Sequence, residues 1–398
     1  MSSPGCRLRT LGVISALGCG AEVTWKQLLA GESPGRIERD DLIPGRRALF
    51  AAVLGPLPSV PHALRHLESR TGRLLLGAFE QIESAVSDAV RRFGAARIGV
   101  VLGTSTAGID QADRAFSERN AARELPSWFD LAMLEFGGPA ELLQHVSGAG
   151  GPCYTISTAC SSGAKALVSA RTLLEIGICD AVVAGGADAL CRLTASGFHS
   201  LQAISLRGSS PMSRGRDGLT LGEGAALFLV TREPDGVQIL GAGEAMDAHH
   251  MSAPHPQGVG AERAMRAALS DAGPGEVSYL NLHGTGTPQN DAMESHAVGR
   301  VFGLELPCSS TKPLTGHTLA AAGALEAALC WLVLERRELE RLHLPPHVWS
   351  GDPDPSLPAL RLIDRGASIR VAGPARVASN SFGFGGSNCT LVLGVEPT

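Results

Sequence analysis

Three features are in short supply in this 398-residue chain. Aromatic residues make up only 4%, positive charge is not in excess, and no uninterrupted apolar run approaches the roughly 18 residues of a membrane-spanning helix. Lys and Arg total 34 against 39 Asp and Glu, a formal net charge of −5. That balance excludes the broad basic field of a nucleic-acid binder, though not a local basic patch. The nine cysteines, at 6, 19, 153, 160, 179, 191, 308, 330 and 389, include no C-x-x-C pair, so no zinc site is expected and the thiols are read as reduced. The opening residues Met1 to Arg7 lack a charged segment followed by an apolar one and a cleavage site. The expectation is a soluble, cytoplasmic protein with no membrane span and no nucleic-acid partner.

What is present is apolar content and glycine. With 44% hydrophobic residues the chain can bury a large core, divided into two or three units or two closely packed halves. The 49 glycines imply close backbone packing and many tight turns, as in layered α/β enzymes.

One stretch organises the rest, P-C-Y-T-I-S-T-A-C-S-S-G-A-K-A-L-V-S-A from Pro152 to Ala170. Cys153 to Ser157 has the content of an inner strand, and Ala164, Leu167, Val168 and Leu174 keep helical spacing. Cys160 falls at the turn between them. A thiol in the first turn of a helix faces unpaired N–H groups that lower its pKa toward the thiolate. The competing reading is buried filler, since free cysteine is among the most buried residue types.

Along the chain, strands are expected over 8–17, 98–102, 180–184, 222–230, 237–243, 279–282 and 307–311, with a strand, a Gly-rich turn and a strand over 377–393. Helices are expected over 22–30, 70–93, 262–272 and 320–336, and surface loop over 31–60. Segment 111–151 is irregular, of the kind that caps a site or makes a subunit contact. The order strand, Ser-Thr, short turn, Gly and small-residue helix occurs around Cys160 and again in P-C-S-S-T-K-P-L-T-G-H-T-L-A-A-A-G, from Pro307. A duplicated fold would set two such helix starts face to face.

His283 follows an apolar strand in L-N-L-H-G-T-G-T-P-Q-N-D, and His317 follows another in K-P-L-T-G-H-T-L-A-A-A-G. Ends of α/β strands are where sites of such folds lie. Lys312 and Glu326 flank His317. By themselves a lone His reads equally well as structural, and a Lys and Glu pair as solvated. The turn S-N-S-F-G-F-G-G-S-N, 379–388, reads as a hairpin or as a nest of N–H groups for an oxyanion.

Together, T-A-C-S-S-G, H-G-T-G-T-P-Q-N-D-A-M-E, K-P-L-T-G-H-T-L-A-A-A-G-A-L-E and N-S-F-G-F-G-G-S-N, in this order, resemble the elongating β-ketoacyl-acyl-carrier-protein synthases. P-M-S-R-G-R-D-G-L-T-L-G-E-G-A and M-D-A-H-H-M-S-A-P extend the likeness over nearly the whole chain. The resemblance implies the α/β thiolase fold, two duplicated βαβ-rich halves in five alternating αβαβα layers, here 1–235 with Cys160 and 236–398 with His283 and His317. It implies Cys160 as acyl-carrying nucleophile, the N–H groups of Cys160 and Phe384 as oxyanion hole, and His283 and His317 as donors to the malonyl thioester carbonyl. Lys312 and Glu326 would hold the electrostatics, Phe384 would act as a gate, and Thr285, Thr287 and Ser252 would line the pantetheine tunnel. No cofactor or metal is implied. The implied partners are an acyl carrier protein bearing acyl and malonyl thioesters, docking on Arg70, Arg73 and Arg207, and a second subunit, either a copy or a chain-length-factor-like partner.

Closer likeness in V-L-G-T-S-T-A-G-I-D and D-A-H-H-M-S-A-P-H-P-Q-G is to the ketosynthases of aryl-polyene pigment clusters. Ser213 and Leu219 depart from the usual Asp and Phe, and Asn290 stands where Gly is common, as a residue that tolerates a left-handed turn. The alternatives are a non-catalytic chain-length-factor-like subunit, which would lack the nucleophilic Cys, and an acyltransferase of the same fold.

Overall fold

The computed structural model describes residues 5–119, 123–338 and 340–395. Five strands of its main sheet come from the first part of the chain: β1 (Arg7–Ser15), β2 (Ile98–Gly103), β3 (Cys153–Ile156), β4 (Ala181–Asp188) and β5 (Gly224–Thr231). Five come from the second: β6 (Val237–Met246), β7 (Tyr279–Asn281), β8 (Cys308–Ser309), β9 (Ala375–Phe382) and β10 (Ser387–Val395). The first group lies in the order β1-β5-β4-β2-β3 and the second in the order β6-β10-β9-β7-β8. In each group the first two pairings are antiparallel and the last two parallel. Only Arg7 with Gln238 and Leu8 with Val237 join the groups, antiparallel across β1 and β6.

The helices are α1 (Ala21–Ala30), α2 (Arg70–Phe79), α3 (Glu83–Phe93), α4 (Ile109–Glu118), α5 (Gly138–Ser147), α6 (Ser162–Glu175), α7 (Arg192–Ser200), α8 (Val259–Ala272), α9 (Pro288–Phe302), α10 (Lys312–Thr315) and α11 (Ala322–Glu335). Helix α11 is buried from Ala322 to Leu334, as a helix must be when it has no polar face. It packs on α6 between the two strand groups. Each fully buried Leu there contributes about 1.5–3 kcal/mol. Two glycines set the approach of these helices. A Cβ at Gly163 would lie 2.8 Å from the Ala320 carbonyl oxygen, and one at Gly323 would lie 2.7 Å from the Ala164 nitrogen. Helices α2, α3 and α5 cover the outer face of the first group, and α8 and α9 that of the second. The result is the five-layered thiolase fold. Both central helices are entered through a strained left-handed residue three positions before their start, Ala159 (φ 53°) and Leu319 (φ 51°).

Several local expectations are corrected. Segment 31–60 is not simply loop: Arg36–Ile43 and Arg46–Ala51 form a hairpin around Gly45 (φ 66°), disguised by the many charged residues on its exposed side. The helix expected over 70–93 breaks at 80–82 because Gln81 leaves the helix to serve β1, its amide accepting from Val13 N–H and donating to Val13 O. Strand β4 does not close at Gly185-Gly186 but runs through them to Asp188, since a Cβ at Gly185 would sit 1.9 Å from the Ala226 oxygen. Strands β3 and β4 are parallel, as a βαβ unit requires, with β2 between them. Asn290 adopts no left-handed turn. It lies in the first turn of α9, a helix hidden because Pro288 reads as a stop, whereas at the first helical position a missing N–H costs nothing.

Candidate active site

Cys160, His283 and His317 come from three separate strand ends, and the fold brings them together. His317 Nε2 lies 2.9 Å from Cys160 Sγ, and the two imidazole rings stand edge to face at 5.3 Å. All three residues are buried. The Phe384 backbone N–H also points at the Cys160 sulfur. His317 owes its place to its main chain, which pairs with the segment leading into β5: its N–H donates to Thr220 O at 2.7 Å and its carbonyl accepts Gly222 N–H at 3.0 Å.

Lys312 is buried between the histidines. Its ammonium reaches His283 Nδ1 at 3.2 Å and His283 O at 2.5 Å, and pairs with Glu326. Because Lys312 can only donate, His283 Nδ1 must accept, which places the ring proton on Nε2. His317 Nδ1 has no hydrogen-bond partner among the described residues, so exchanging tautomers costs no bond there. Burial, reinforced by the Lys312 charge, holds both histidines well below the usual imidazole range and keeps them neutral. Burial lifts Glu326 to about 7 against the pull of Lys312.

Cys160 precedes the helix, whose N-cap is Ser161, and burial pushes its pKa up to about 12, outweighing Lys312 and the Phe384 N–H. His317 Nε2, in contact with the sulfur, is the base nearest to that thiol proton. The ligand-type atoms of Cys160, His283 and His317 lie within 4.8 Å of one another, and such donors suit zinc. The Lys312 ammonium beside them sets a positive charge where a metal cation would sit, which disfavours that use.

A pocket lined by these three residues is also lined, among others, by Ser252, Thr285, Thr287, Leu219 and Phe384. Thr285 and Thr287 hydroxyls lie 3.0 Å apart. Phe384 is 36% exposed and packs its ring 5.3 Å from that of Phe198. The three arginines differ from one another. The Arg70 fork closes on the fully buried Glu223 through Nε at 2.7 Å and Nη2 at 2.5 Å. Arg73 pairs with Glu68. The Arg207 side chain is 81% exposed, 3.0 Å from Asp217 at the pocket wall.

Sequence reasoning missed the carboxylates that hold the site. Glu294 accepts the N–H groups of His283 and Gly284, each at 2.7 Å, and Asp291 accepts that of Gly286 at 3.1 Å. Their signal was two acidic residues three apart just after H-G-T-G, on one face of an unrecognised helix. Asp188 accepts from Thr104, Ser105 and Thr106 of one half and from Ala320 N–H of the other.

Neutral buried histidines make the fold acid-sensitive. His283 and His317 are depressed below 6.5, and burial lowers His347 to about 4. A depressed pKa contributes stability that is present above the unfolded value and lost as pH falls toward the folded one. Between about pH 6.5 and pH 4 His347 is expected to cost up to about 1.4 kcal/mol per pH unit, and His283 and His317 act in the same direction as pH falls below 6.5. Thermal melts at pH 7 and pH 5 measure this, and equal melting temperatures would contradict it.

Two family models match, the N-terminal domain of beta-ketoacyl synthase over residues 66–236 and its C-terminal domain over 237–343. The chain is 32% identical over 416 residues to 3-oxoacyl-[acyl-carrier-protein] synthase 2 of Coxiella burnetii (strain RSA 493 / Nine Mile phase I), covering 96% of each. Among solved structures it is similar to the ketosynthase ApeO, solved in complex with its chain length factor ApeC from Xenorhabdus doucetiae. The TM-score is 0.91 at 42% identity, over 98% of each chain. A type II polyketide synthase assembly, AntDE:AntF, in which an acyl-carrier protein is bound to its ketosynthase, matches with a TM-score of 0.82 at 25% identity over 98% of each chain. Matching models over more than half its length, a relative at this identity and a Cys-His-His centre at the meeting of two like halves make this chain a member of the beta-ketoacyl synthase family, a β-ketoacyl-acyl-carrier-protein synthase of the thiolase fold.

Proposed function

We propose that the chain performs decarboxylative Claisen condensation through a Cys160 acyl-enzyme. The supporting observation is the 2.9 Å contact of His317 Nε2 with a buried thiol, beside a second imidazole whose tautomer Lys312 fixes. His317 takes the thiol proton as Cys160 Sγ attacks the acyl thioester. The N–H groups of Cys160 and Phe384 hold the oxyanion, and the proton passes to the departing carrier thiolate. A malonyl thioester then enters the same pocket past Thr285, Thr287 and Ser252, with Phe384 moving aside as the gate. Its carboxylate leaves as carbon dioxide, and the electrons of the broken bond pass to the thioester oxygen, held by the Nε2–H of His283 and, once its ring proton has exchanged from the unpartnered Nδ1 to Nε2, by that of His317. This enolate attacks the acyl-Cys160 carbonyl, giving a chain two carbons longer and a Cys160 thiolate that regains a proton from solvent. Each imidazole donor in so dry a site contributes roughly 3–4 kcal/mol to the transition state.

The two halves, 1–235 and 236–398, are read as copies of one unit, supported by their identical strand order. The likeness to ApeO favours an aryl-polyene type of product and a chain-length-factor-like partner subunit, and the cytoplasm remains the proposed location. Among the described residues no helix is long and apolar enough to cross a membrane.

Incubation with acyl and malonyl carrier proteins, followed by intact mass spectrometry, tests the reading. An acyl adduct on Cys160 and a product two carbons longer support condensation. An adduct without elongation leaves the acyltransferase alternative, and neither product leaves the chain-length-factor one. Arg207 is the proposed docking residue, with Arg73 a second candidate. In the same assay Arg207→Glu is expected to slow turnover of the acidic carrier protein about five- to tenfold while small acyl thioesters still load normally. Unchanged carrier-protein turnover would remove Arg207 from that role.

A further inference from the structure

His347 is a buried imidazole that the reaction does not use, and no motif in the sequence marks it. It is 4% exposed, and both ring nitrogens are committed. Nδ1 accepts the Ser310 backbone N–H at 3.0 Å, so the ring proton sits on Nε2, which donates to the Pro211 carbonyl at 3.0 Å. Burial, which holds its pKa at about 4, keeps the ring in this neutral form.

Its two partners belong to different walls of the site. Ser310 Oγ donates to the Gly284 carbonyl at 2.6 Å, next to His283. Pro211 precedes Met212, whose N–H is taken by Asp291 Oδ2 at 2.9 Å, while Asp291 Oδ1 accepts Gly286 N–H at 3.1 Å. Gly286 O in turn accepts Gly218 N–H at 3.1 Å. The bonds close into a ring running from Ser310 through His347, Pro211, Met212 and Asp291 to the 284–286 turn and back. Thr285 stands on that turn, with His283 and Thr287 at its ends.

We infer that His347 is a positioning residue, which sets the turn carrying His283, Thr285 and Thr287 by pinning the 210–218 loop to the end of strand β8. The proposal rests on the condensing reading above. The loop has other ties to the segment after His347. Ser350 N–H donates to Ser210 Oγ at 3.0 Å, Asp354 N–H to Met212 O at 3.1 Å, and Arg216 pairs with Asp354. Loss of the imidazole alone therefore shifts the turn without releasing the loop.

The test compares His347→Phe, which keeps the shape, with His347→Asn, whose amide oxygen stands close to where Nδ1 does. His347→Phe is expected to raise KM for malonyl carrier protein about fivefold and to lower kcat of its decarboxylation about tenfold, as small displacements of positioning groups do. Alkylation of Cys160 by iodoacetamide should stay within about twofold of wild type. His347→Asn should recover part of kcat, because Ser310 regains its acceptor while Pro211 O stays without its donor. Wild-type kcat and KM in His347→Phe would overturn the proposal. So would a His347→Phe whose Cys160 alkylation falls in step with decarboxylation, or a His347→Asn no better than the Phe variant. If wild-type protein condenses and these variants behave like it, only this inference fails; if wild-type protein itself releases no carbon dioxide, the condensing reading falls as well.

Discussion

Cys160→Ala is expected to abolish the acyl-enzyme and to cut condensation by on the order of 10⁵-fold or more, as removal of a covalent nucleophile does. Decarboxylation of malonyl carrier protein should continue in the variant. The electron sink for that step is the pair of imidazoles, and His283 is held by Lys312 and by Glu294 through its backbone, neither of which involves the thiol. The two steps are read separately, the first by intact mass spectrometry and the second by release of carbon dioxide from labelled malonyl carrier protein. A variant that still elongates would refute the covalent route, and one that loses both steps equally would make the thiol part of the sink.

His283→Ala should do the reverse. Losing one preoriented donor to a developing oxyanion is expected to slow decarboxylation by on the order of 10²–10³-fold. Loading of Cys160 should stay near normal, because the contact that takes the thiol proton comes from His317. His283→Asn keeps a donor at a shorter reach and should fall between the two. Equal losses in both half-reactions would show that His283 acts on loading as well, against the division of labour proposed here. The two variants together separate sulfur chemistry from enolate chemistry within one cavity.

Much of this site was legible in the chain because chemistry concentrates in short, glycine-rich turns. The T-A-C-S-S-G, H-G-T-G-T and K-P-L-T-G-H segments each follow an apolar strand, and each does end at the cavity. What was misread depended on partners distant in sequence. Gln81 breaks a continuous amphipathic pattern because Val13, 68 residues away, offers it both a donor and an acceptor. The ion pair of Arg70 with Glu223, 153 residues away, has no local signal in the sequence. The hairpin over Arg36–Ala51 was hidden for another reason: its charge pattern is that of a loop, and cross-strand pairing rather than composition makes it a strand pair.

The sequence by itself determined the strand and helix rhythm of the two halves, the family, and the identities of Cys160, His283, His317 and Lys312. Those follow from local periodicity and from residue types whose chemistry is their own wherever they stand. Only the tertiary structure decided what surrounds the thiol. The dipole of a helix start lowers a pKa, but complete burial raises that of Cys160 to about 12, and burial is a property of the packed halves rather than of any segment. The same packing fixes the His283 tautomer through Lys312 and brings His317 to the sulfur. The contact of His317 with the sulfur, on which the proposed loading step rests, is therefore set where the two strand groups meet and not by any one segment.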